Sequence, residues 1–411
     1  MAYQETTTTS YGTRVKRSAG GIGTGLLLFI AATALLWWNE GRAVKTDKML
    51  DEAERVYVDM EHPERLDPAL DGELVCASAL ATTADSLIDA QYGIGTTAIG
   101  LRRQVEYYQW VEHEQSQTEE KLGGKEVTTT TYTYSQQWVG RPVESAQFKD
   151  PAYQGRNMVL ATIDEAEQWA TTVSFGAYQL NESQVRSISS REPLALSLPE
   201  EQLRQLSAQA QAAHERFYGQ PQTDEQRRYV HVQGNELYYG LTPSSPQVGD
   251  VRVRFEKTVP ARVTIIAQVS GNTFGPYKAK NGKRFQTLVM GRKDASEIFE
   301  AEHSTNNFIL WVLRILGVVL VVSGLKGIFN ILQTLLKVVP FLANIIGWGV
   351  GLVCTVVGVV WSLVVIALAW LFYRPLLGIG LLLVAGFIVW VFAFKGKDKL
   401  SAMAGRSQQA E

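Results

Sequence analysis

Cysteine is scarce in this chain of 411 residues, which contains only two. Cys76 lies in a long polar segment and Cys354 in an apolar one, so we expect no disulfide between them. An intermolecular bridge through Cys76 is one possibility, and a buried free thiol is the other. The two cysteines therefore predict no intrachain cross-link.

Motifs for catalysis and metal binding are also missing. There is no Gly-x-Ser-x-Gly, no phosphate-binding loop and no dinucleotide fingerprint, because the GGIGTG string at 20–25 opens an uncharged apolar stretch and follows no strand. The five histidines show no spacing typical of metal ligands: His62, His113, His214, His231 and His303. We therefore expect no enzymatic activity, no metal and no cofactor.

An excess of charge of either sign is absent too. The chain has 39 Lys and Arg against 41 Asp and Glu, a net charge of −2, and no basic cluster with interleaved aromatic residues. This balance argues against nucleic acid as a partner.

Long apolar stretches are what the chain does have, one near the N-terminus and three in the last hundred residues. About 20 consecutive apolar residues are enough for a helix to cross the roughly 30 Å hydrocarbon core of a bilayer. A secretory signal peptide is the alternative for the first stretch, but Trp37, Trp38, Asn39 and Glu40 make a poor cleavage site.

The predicted fold is an α+β membrane protein with four transmembrane helices, one N-terminal and three C-terminal, around a large inserted β-rich extracytosolic domain. The predicted segments are a disordered cytosolic N-terminus at 1–18, transmembrane helices at 19–38, 307–325, 345–372 and 375–394, the β-rich domain at 39–306, a cytosolic interfacial amphipathic helix at 326–344 and a basic cytosolic tail at 395–411.

Basic residues near the later spans set the orientation. Lys326 and Lys337 lie between the second and third spans, only Arg374 lies between the third and fourth, and the tail adds Lys395, Lys397, Lys399 and Arg406. The positive-inside rule then places both termini in the cytosol and 39–306 outside, in the periplasm or a lumen. A bacterial cytoplasmic membrane is favoured, with the endoplasmic reticulum or inner nuclear membrane expected for a eukaryotic chain.

Strand signals dominate the inserted domain, and a helix interrupts them. Segments 100–114 and 126–138 predict a long hairpin, because Gly123 and Gly124 between them favour a tight turn. Ser197 and Glu200 predict a capping box for the helix, with apolar residues recurring on one face. Further strands are expected at 73–82, 171–180, 251–259, 263–270 and 284–290, and a second helix from Asp294 should lead into the second span.

Small residues and one arginine are the candidate features of the spans. Gly21 with Gly25, and Gly347 with Gly351, form small-xxx-small pairs, for which packing within the chain and contact between subunits are equally acceptable explanations. Arg314 lies inside the second span and is expected to be an anchor at the membrane interface, because no acidic residue falls inside any span to pair with it. Lys326, Lys337 and Arg374 are expected at the interface as well.

Four strings of the chain closely resemble the LUMA family, transmembrane protein 43: NEGRAVKT (39–46), YGIGTTAIGLRRQVEYYQWVE (92–112), VGDVRVRFE (248–256) and WLFYRPLLG (370–378). The residues taken as the family motif are Asn39, Glu40, Gly41, Arg42, Arg102, Arg103, Trp110, Gly249, Asp250, Tyr373, Arg374 and Pro375. The resemblance implies a multi-pass protein with cytosolic termini that self-associates and organises membrane complexes, without an established enzymatic activity. For eukaryotic members it implies lamins and emerin as partners.

The sequence therefore predicts a non-enzymatic membrane scaffold whose partners are itself, membrane lipids and other membrane proteins. An extracytosolic ligand sensor is the first alternative, and it would need a pocket with convergent polar groups. A transporter or channel subunit is the second, and it would need polar, discontinuous spans.

Overall fold

A computed structural model of the chain describes residues 3–121, 125–218, 228–336 and 340–373, together with a few residues between 379 and 390. It forms two compact units: one comprises residues 1–5, 52–116 and 130–298, and the other residues 6–51, 117–129 and 299–411. We call the first the β unit and the second the helical unit.

Five α-helices lie in the described residues: α1 (Tyr11–Val56), α2 (Glu182–Ser187), α3 (Glu200–Tyr218), α4 (Ala295–Leu336) and α5 (Pro340–Tyr373). Three segments are long and apolar enough to cross a membrane, namely 11–56, 295–330 and 349–373. The fold is thus mixed helix and sheet with three candidate membrane helices. The predicted fourth span at 375–394 and the tail at 395–411 lie largely outside the described residues.

Strands make up most of the β unit, and they include many of only two or three residues. In chain order they are β1 (Tyr3–Thr9), β2 (Val58–Asp59), β3 (Leu74–Thr82), β4 (Ser86–Ile88), β5 (Gly95–Thr97), β6 (Gly100–Glu120), β7 (Glu126–Val139), β8 (Ala166–Trp169), β9 (Ser174–Phe175), β10 (Tyr178–Gln179), β11 (Arg191–Pro193), β12 (Val230–Gln233), β13 (Glu236–Tyr239), β14 (Val251–Thr258), β15 (Ala261–Ser270), β16 (Thr273–Gly275), β17 (Tyr277–Lys278), β18 (Arg284–Phe285) and β19 (Thr287–Met290).

The larger sheet has eight strands in the order β1-β7-β6-β14-β13-β12, with β11 and β8 paired at its margins. Strand β6 runs antiparallel to β14, with Val105 opposite Val253 and Arg103 opposite Phe255. Residues of β6 from Leu101 to Gln109 alternate between buried and half-buried positions, which is the period of a strand with one face on a core. This core also receives the apolar face of α3, through Leu203, Leu206, Ala210 and Ala213, as predicted.

A seven-stranded sheet has the order β19-β15-β16-β10-β9-β3-β2, with β3 also paired to β15. The β3–β15 ladder runs from Ala81 opposite Ala261 to Leu74 opposite Gln268. Small and branched side chains of these strands, among them Ala77, Ala79, Val263 and Ile265, form a second hydrophobic core. Cys76 is a buried free thiol in β3, and burial raises its pKa to about 11.

The predicted capping box of α3 is wrong. The amide of Leu203 donates to the carbonyl of Pro199, so Pro199 is the capping residue and the helix begins at Glu200. Ser197 lies two residues before the capping position and is too early to cap the helix. A capping box does exist in α2, where Asn181 and Gln184 exchange side-chain and backbone hydrogen bonds. The predicted helix from Asp294 is confirmed and continues directly into the second candidate span as α4.

The three long helices pack against one another within the helical unit, α1 antiparallel to α4 and parallel to α5. Helix α1 meets α4 in opposite directions, since Gly25 lies against Gly324 and Asn39 bonds Leu310. Helix α5 runs in the direction of α1, since Trp361 Nε1 donates to Thr33 and Trp37 stacks edge-on against Phe372. Alternating directions are what three consecutive membrane crossings would require.

The N-terminus is ordered from residue 3, contrary to the predicted disorder of 1–18. Tyr3–Thr9 form β1 at the edge of the larger sheet, and Arg14 forms ion pairs of 2.8 Å with Glu120 and 2.9 Å with Glu126. These ion pairs join residues that the sequence predicts on opposite sides of the membrane.

The segment predicted as a separate interfacial helix, 326–344, is divided. Its first part continues α4 without interruption to Leu336, and α5 begins at Pro340. Proline at the first position of a helix is favoured, because its missing N–H has no partner there in any case. That this segment lies at a membrane surface stays a prediction.

Candidate functional site: a buried polar cluster between the long helices

The polar cluster begins at the residues that follow the first apolar stretch. Helix α1 does not end near Trp38 but continues to Val56, so Asn39 and Glu40 stay inside the bundle, where they are 0% and 1% exposed. Buried charges in proteins are almost always paired, because isolated ones are expensive to remove from water. Glu40 must therefore have a partner on a neighbouring helix.

That partner is Arg314 of α4. Its Nε donates to Glu40 Oε1 over 2.6 Å and its Nη2 to Oε2 over 2.8 Å, a two-point contact between a planar guanidinium and a carboxylate. Trp370 of α5 donates its indole N–H to the same carboxylate. The guanidinium carbon lies 4.9 Å from the ring centre of Trp311 and 5.1 Å from that of Trp370.

The expectation that Arg314 has no acidic partner is wrong, because it assigned Glu40 to a domain outside the first span. Arg314 is buried and ties together all three long helices, rather than reaching alone toward a membrane surface. Arg314 and Trp370 together donate hydrogen bonds to both oxygens of the Glu40 carboxylate, which makes a buried charge tolerable in this position.

A second set of amide contacts adjoins the ion pair. Asn39 donates to the carbonyl of Leu310 over 3.0 Å, and Arg42 donates to Asn39 Oδ1 and to Asn306 Oδ1, the latter over 3.1 Å. Asn306 in turn donates to the carbonyl of Ala43 over 3.0 Å. Side-chain amides thus connect α1 and α4 over about two turns.

Position 41, within the NEGRAVKT string, must be glycine because Tyr373 packs directly against it. A Cβ placed on it would lie 2.7 Å from the Tyr373 hydroxyl oxygen, so any other residue would displace the tyrosine at the end of α5. The predicted family residues Asn39, Glu40, Gly41 and Arg42, which are consecutive, therefore meet Tyr373 from the other end of the chain.

A cleft of about 390 Å³ opens beside this cluster. Its lining contains both polar and apolar residues, namely Glu40, Ala43, Val44, Asp47, His303, Ser304, Asn306, Asn307, Leu310 and Trp370. The cleft is large enough for several water molecules.

The glycine pair of α1 packs within the chain. A Cβ on Gly25 would lie 2.8 Å from both the carbonyl oxygen of Gly324 and the amide nitrogen of Ile328, so the two backbones touch. A Cβ on Gly21 would lie 4.0 Å from the carbonyl oxygen of Gly327. Gly351 of the second predicted pair has nothing within 4 Å of its Cβ direction among the described residues, and the surroundings of Gly347 lie outside them.

Other family residues hold the larger sheet together. Arg103 lies on the buried face of β6 and contacts both oxygens of Asp89 at 2.7 Å, while Arg102 faces the other way, opposite Glu256. Trp110 stacks edge-on against Tyr153, with ring centres 4.9 Å apart.

Gly249 and Asp250 form a tight turn before β14. Gly249 has a φ of +105°, and a side chain there would meet Met158. Asp250 accepts from the Tyr238 hydroxyl and from the amide of Gln247, yet burial still raises the pKa of its carboxyl to about 6. Gly249 and Asp250 therefore fix the start of β14 beside β13.

Of the predicted interface residues, Lys326 is exposed on α4. Lys337, Arg374 and Pro375 lie outside the described residues.

Comparison with known proteins identifies the family of the chain. The family model described as transmembrane protein 43 matches residues 107–375. The chain belongs to the transmembrane protein 43 family. Among relatives, the transmembrane protein 43 of Rattus norvegicus is 31% identical over 373 residues, covering 88% of this chain and 87% of the relative. The Homo sapiens protein is 30% identical over 383 residues, covering 91% and 88%.

A more distant member is the transmembrane protein 43 homolog of Drosophila melanogaster, 27% identical over 365 residues, which cover 87% of this chain and 90% of the relative. No solved structure matches the chain. The family resemblance read from the four strings is confirmed, and two of them, those beginning at Asn39 and at Trp370, supply the acidic and aromatic members of the buried cluster.

Proposed function

We propose that this transmembrane protein 43 family member is a non-enzymatic membrane scaffold that self-associates and gathers lipids and other membrane proteins around it. The observation that carries the proposal is an apolar groove of about 520 Å³ between α4 and α5. It is lined by Leu325, Phe329, Gly349, Val350, Val353, Cys354 and Val357.

A groove of this kind must be filled inside a bilayer by something apolar. Gly349 has nothing within 4 Å of its Cβ direction among the described residues, so a helix backbone can approach closely there. The Gly21 and Gly25 pair is already occupied by α4, whereas Gly349 on α5 is open among the described residues. We therefore assign the groove to a helix of a second copy.

The exposed apolar side chains of all three long helices support the membrane and lipid part of the proposal. They include Leu26, Leu27, Ile30, Phe308, Trp311, Ile315, Val319, Leu352, Val353 and Val357. Such a surface is stable only against lipid tails or other apolar helices.

The topology proposed with this function places both termini in the cytosol and the β unit outside, on the positive-inside rule. The Arg14 ion pairs with Glu120 and Glu126 oppose it. A single cysteine placed at residue 7 in a Cys76→Ser, Cys354→Ala background decides the matter. Under this topology, a membrane-impermeant maleimide should label it only after permeabilisation, whereas labelling of intact cells would contradict the topology.

Cross-linking and native mass spectrometry of the full chain in mild detergent test the self-association. We expect dimers or larger assemblies in the wild type and mostly monomers for Gly349→Leu, because the added side chain blocks the approach to α5. Gly23→Leu, on α1 with open space around it, is the matched control and should assemble normally. Monomers in the wild type, or lipid in the groove with G349L assembling unchanged, would contradict the proposal.

A ligand sensor is a second candidate because of a cleft of about 490 Å³ in the β unit. Trp110, Arg156, His214 and Tyr218 bring aromatic and polar groups to its wall, a combination typical of small-molecule sites. Native mass spectrometry showing a small molecule that is retained by the wild type and lost in Trp110→Ala would favour this function.

A further inference from the structure

Two carboxylates and an imidazole meet where α1 and α4 pass beside the polar cleft. Asp47 and Asp51 are four residues apart on α1 and therefore project from the same face. His303 reaches them from the antiparallel helix α4, and the three side chains place their ligand atoms within 4.8 Å of one another. Histidine spacing in the sequence gives no sign of this, because the partners belong to different helices.

The distances give the three residues different roles. Nδ1 of His303 lies 2.9 Å from Asp47 Oδ1, a hydrogen bond that orients the ring and leaves Nε2 as the free ring nitrogen. Nε2 lies 3.6 Å from Asp51 Oδ1, which is too long for a hydrogen bond. It is close to the roughly 3.4 Å that separates two ligands of a tetrahedral ion with bonds of about 2.0–2.1 Å.

The site adjoins a cleft that can hold water. Asp47 and His303 also line the cleft of about 390 Å³, with Ser304, Asn306 and Asn307 as further polar groups. Water molecules in this cleft can reach an ion held by His303 and Asp51. The half-buried position of the histidine, whose side chain is 28% exposed, leaves a path for the ion to enter.

The donor set favours a transition metal over Mg²⁺ or Ca²⁺. Mg²⁺ and Ca²⁺ prefer shells made of oxygen atoms, whereas an imidazole nitrogen together with carboxylates suits Zn²⁺. We propose that His303 Nε2 and Asp51 bind a Zn²⁺ ion, with Asp47 holding the imidazole in place through Nδ1. The ion would join α1 to α4 about two to three helical turns from Glu40 and stabilise the contact between these helices.

Zinc titration of the chelator-treated full-length protein in detergent, followed by isothermal titration calorimetry, tests the site. We expect one ion per chain in the wild type. His303→Ala and Asp51→Asn should weaken binding at least tenfold, and Asp47→Asn by roughly 10- to 100-fold, as for residues that orient a ligating histidine. His62→Ala and Glu54→Gln, an exposed histidine and an exposed acid of α1, are the matched controls and should bind as the wild type does.

A second measurement needs no variant. Diethyl pyrocarbonate modifies accessible imidazoles, and mass spectrometry reports each histidine separately. Zinc should protect His303 of the wild type and leave the modification of His62 unchanged. Absence of protection, unchanged zinc affinity in H303A, or binding of Mg²⁺ in preference to Zn²⁺ would each overturn the proposal.

Discussion

Replacing Glu40 by Gln should strongly destabilise the helical unit. The amide keeps the size of the carboxylate, but it removes the negative charge and turns one acceptor into a donor that faces the guanidinium of Arg314. Two charge-assisted hydrogen bonds of 2.6 and 2.8 Å are affected, and Arg314, with its side chain 10% exposed, keeps a charge without a counter-charge.

The expected size of the effect follows from that unpaired charge. Removing one partner of a buried ion pair costs about 3–5 kcal/mol, which is roughly a hundred- to several-thousandfold in the ratio of folded to unfolded protein. The measurement is the free energy of unfolding in mixed micelles of dodecyl maltoside and sodium dodecyl sulfate. Glu54→Gln, an exposed acid of the same helix, should change it by less than about 0.5 kcal/mol.

A double variant separates charge from packing. Glu40→Met with Arg314→Met removes both charges, so it should destabilise the protein less than E40Q alone. A loss of stability below about 1 kcal/mol in E40Q would refute the reasoning, because the charges would then be solvated. A loss in the double variant equal to the sum of the losses in Glu40→Met and Arg314→Met would also refute it, because the two side chains would then be uncoupled.

Three further outcomes are expected. Gly25→Ala should cost about 1–3 kcal/mol in the same micelle assay, because its Cβ would lie 2.8 Å from backbone atoms of α4, while Gly23→Ala, in open space, should be neutral or slightly stabilising. The pKa of Asp250 is raised to about 6 by burial, so its contribution to stability is complete below about pH 4 and is lost as the pH rises to about 6. Chemical denaturation should show the stability of the wild type relative to Asp250→Asn falling by at most about 3 kcal/mol over that range, and a flat difference would contradict it. Cys76, buried and with its pKa raised to about 11, should react with a maleimide at pH 7.5 far more slowly in the native protein than in denaturant, and equal rates would show that β3 is open.

Local patterns were sufficient to predict the elements that have a strong period. Alternation of residue type and the Gly123-Gly124 pair predicted a hairpin, and its strands are β6 and β7, while the two glycines lie outside the described residues. Strand β6 extends six residues beyond the predicted end at Glu114. The predicted strand at 171–180 is instead two strands of two residues each, β9 and β10. Strands of two residues depend on the strands beside them in the sheet. A short stretch of sequence contains no information about those neighbouring strands.

The buried cluster was missed for a different reason. Hydropathy ended the first span at Trp38, because Asn39, Glu40 and Arg42 are polar, and so Glu40 was assigned to the inserted domain. The structure continues α1 to Val56, and buried Leu36, Ala43 and Leu50 recur every seven residues along it. That helical period was the available signal that the polar residues stay in the bundle. The identity of the partner, Arg314, depends on a contact between distant parts of the chain.

Glu40 and Arg314 are 274 residues apart in the sequence, so the ion pair cannot form until long after Glu40 has been synthesised. At about 5–20 residues per second, the ribosome needs roughly a quarter of a minute to a minute to reach the arginine after the glutamate has been made. Throughout that interval Glu40 of the newly made first helix lacks its partner Arg314. The contact between α1 and α4 can therefore form only after residue 314 has been made, so the helical unit assembles late in translation.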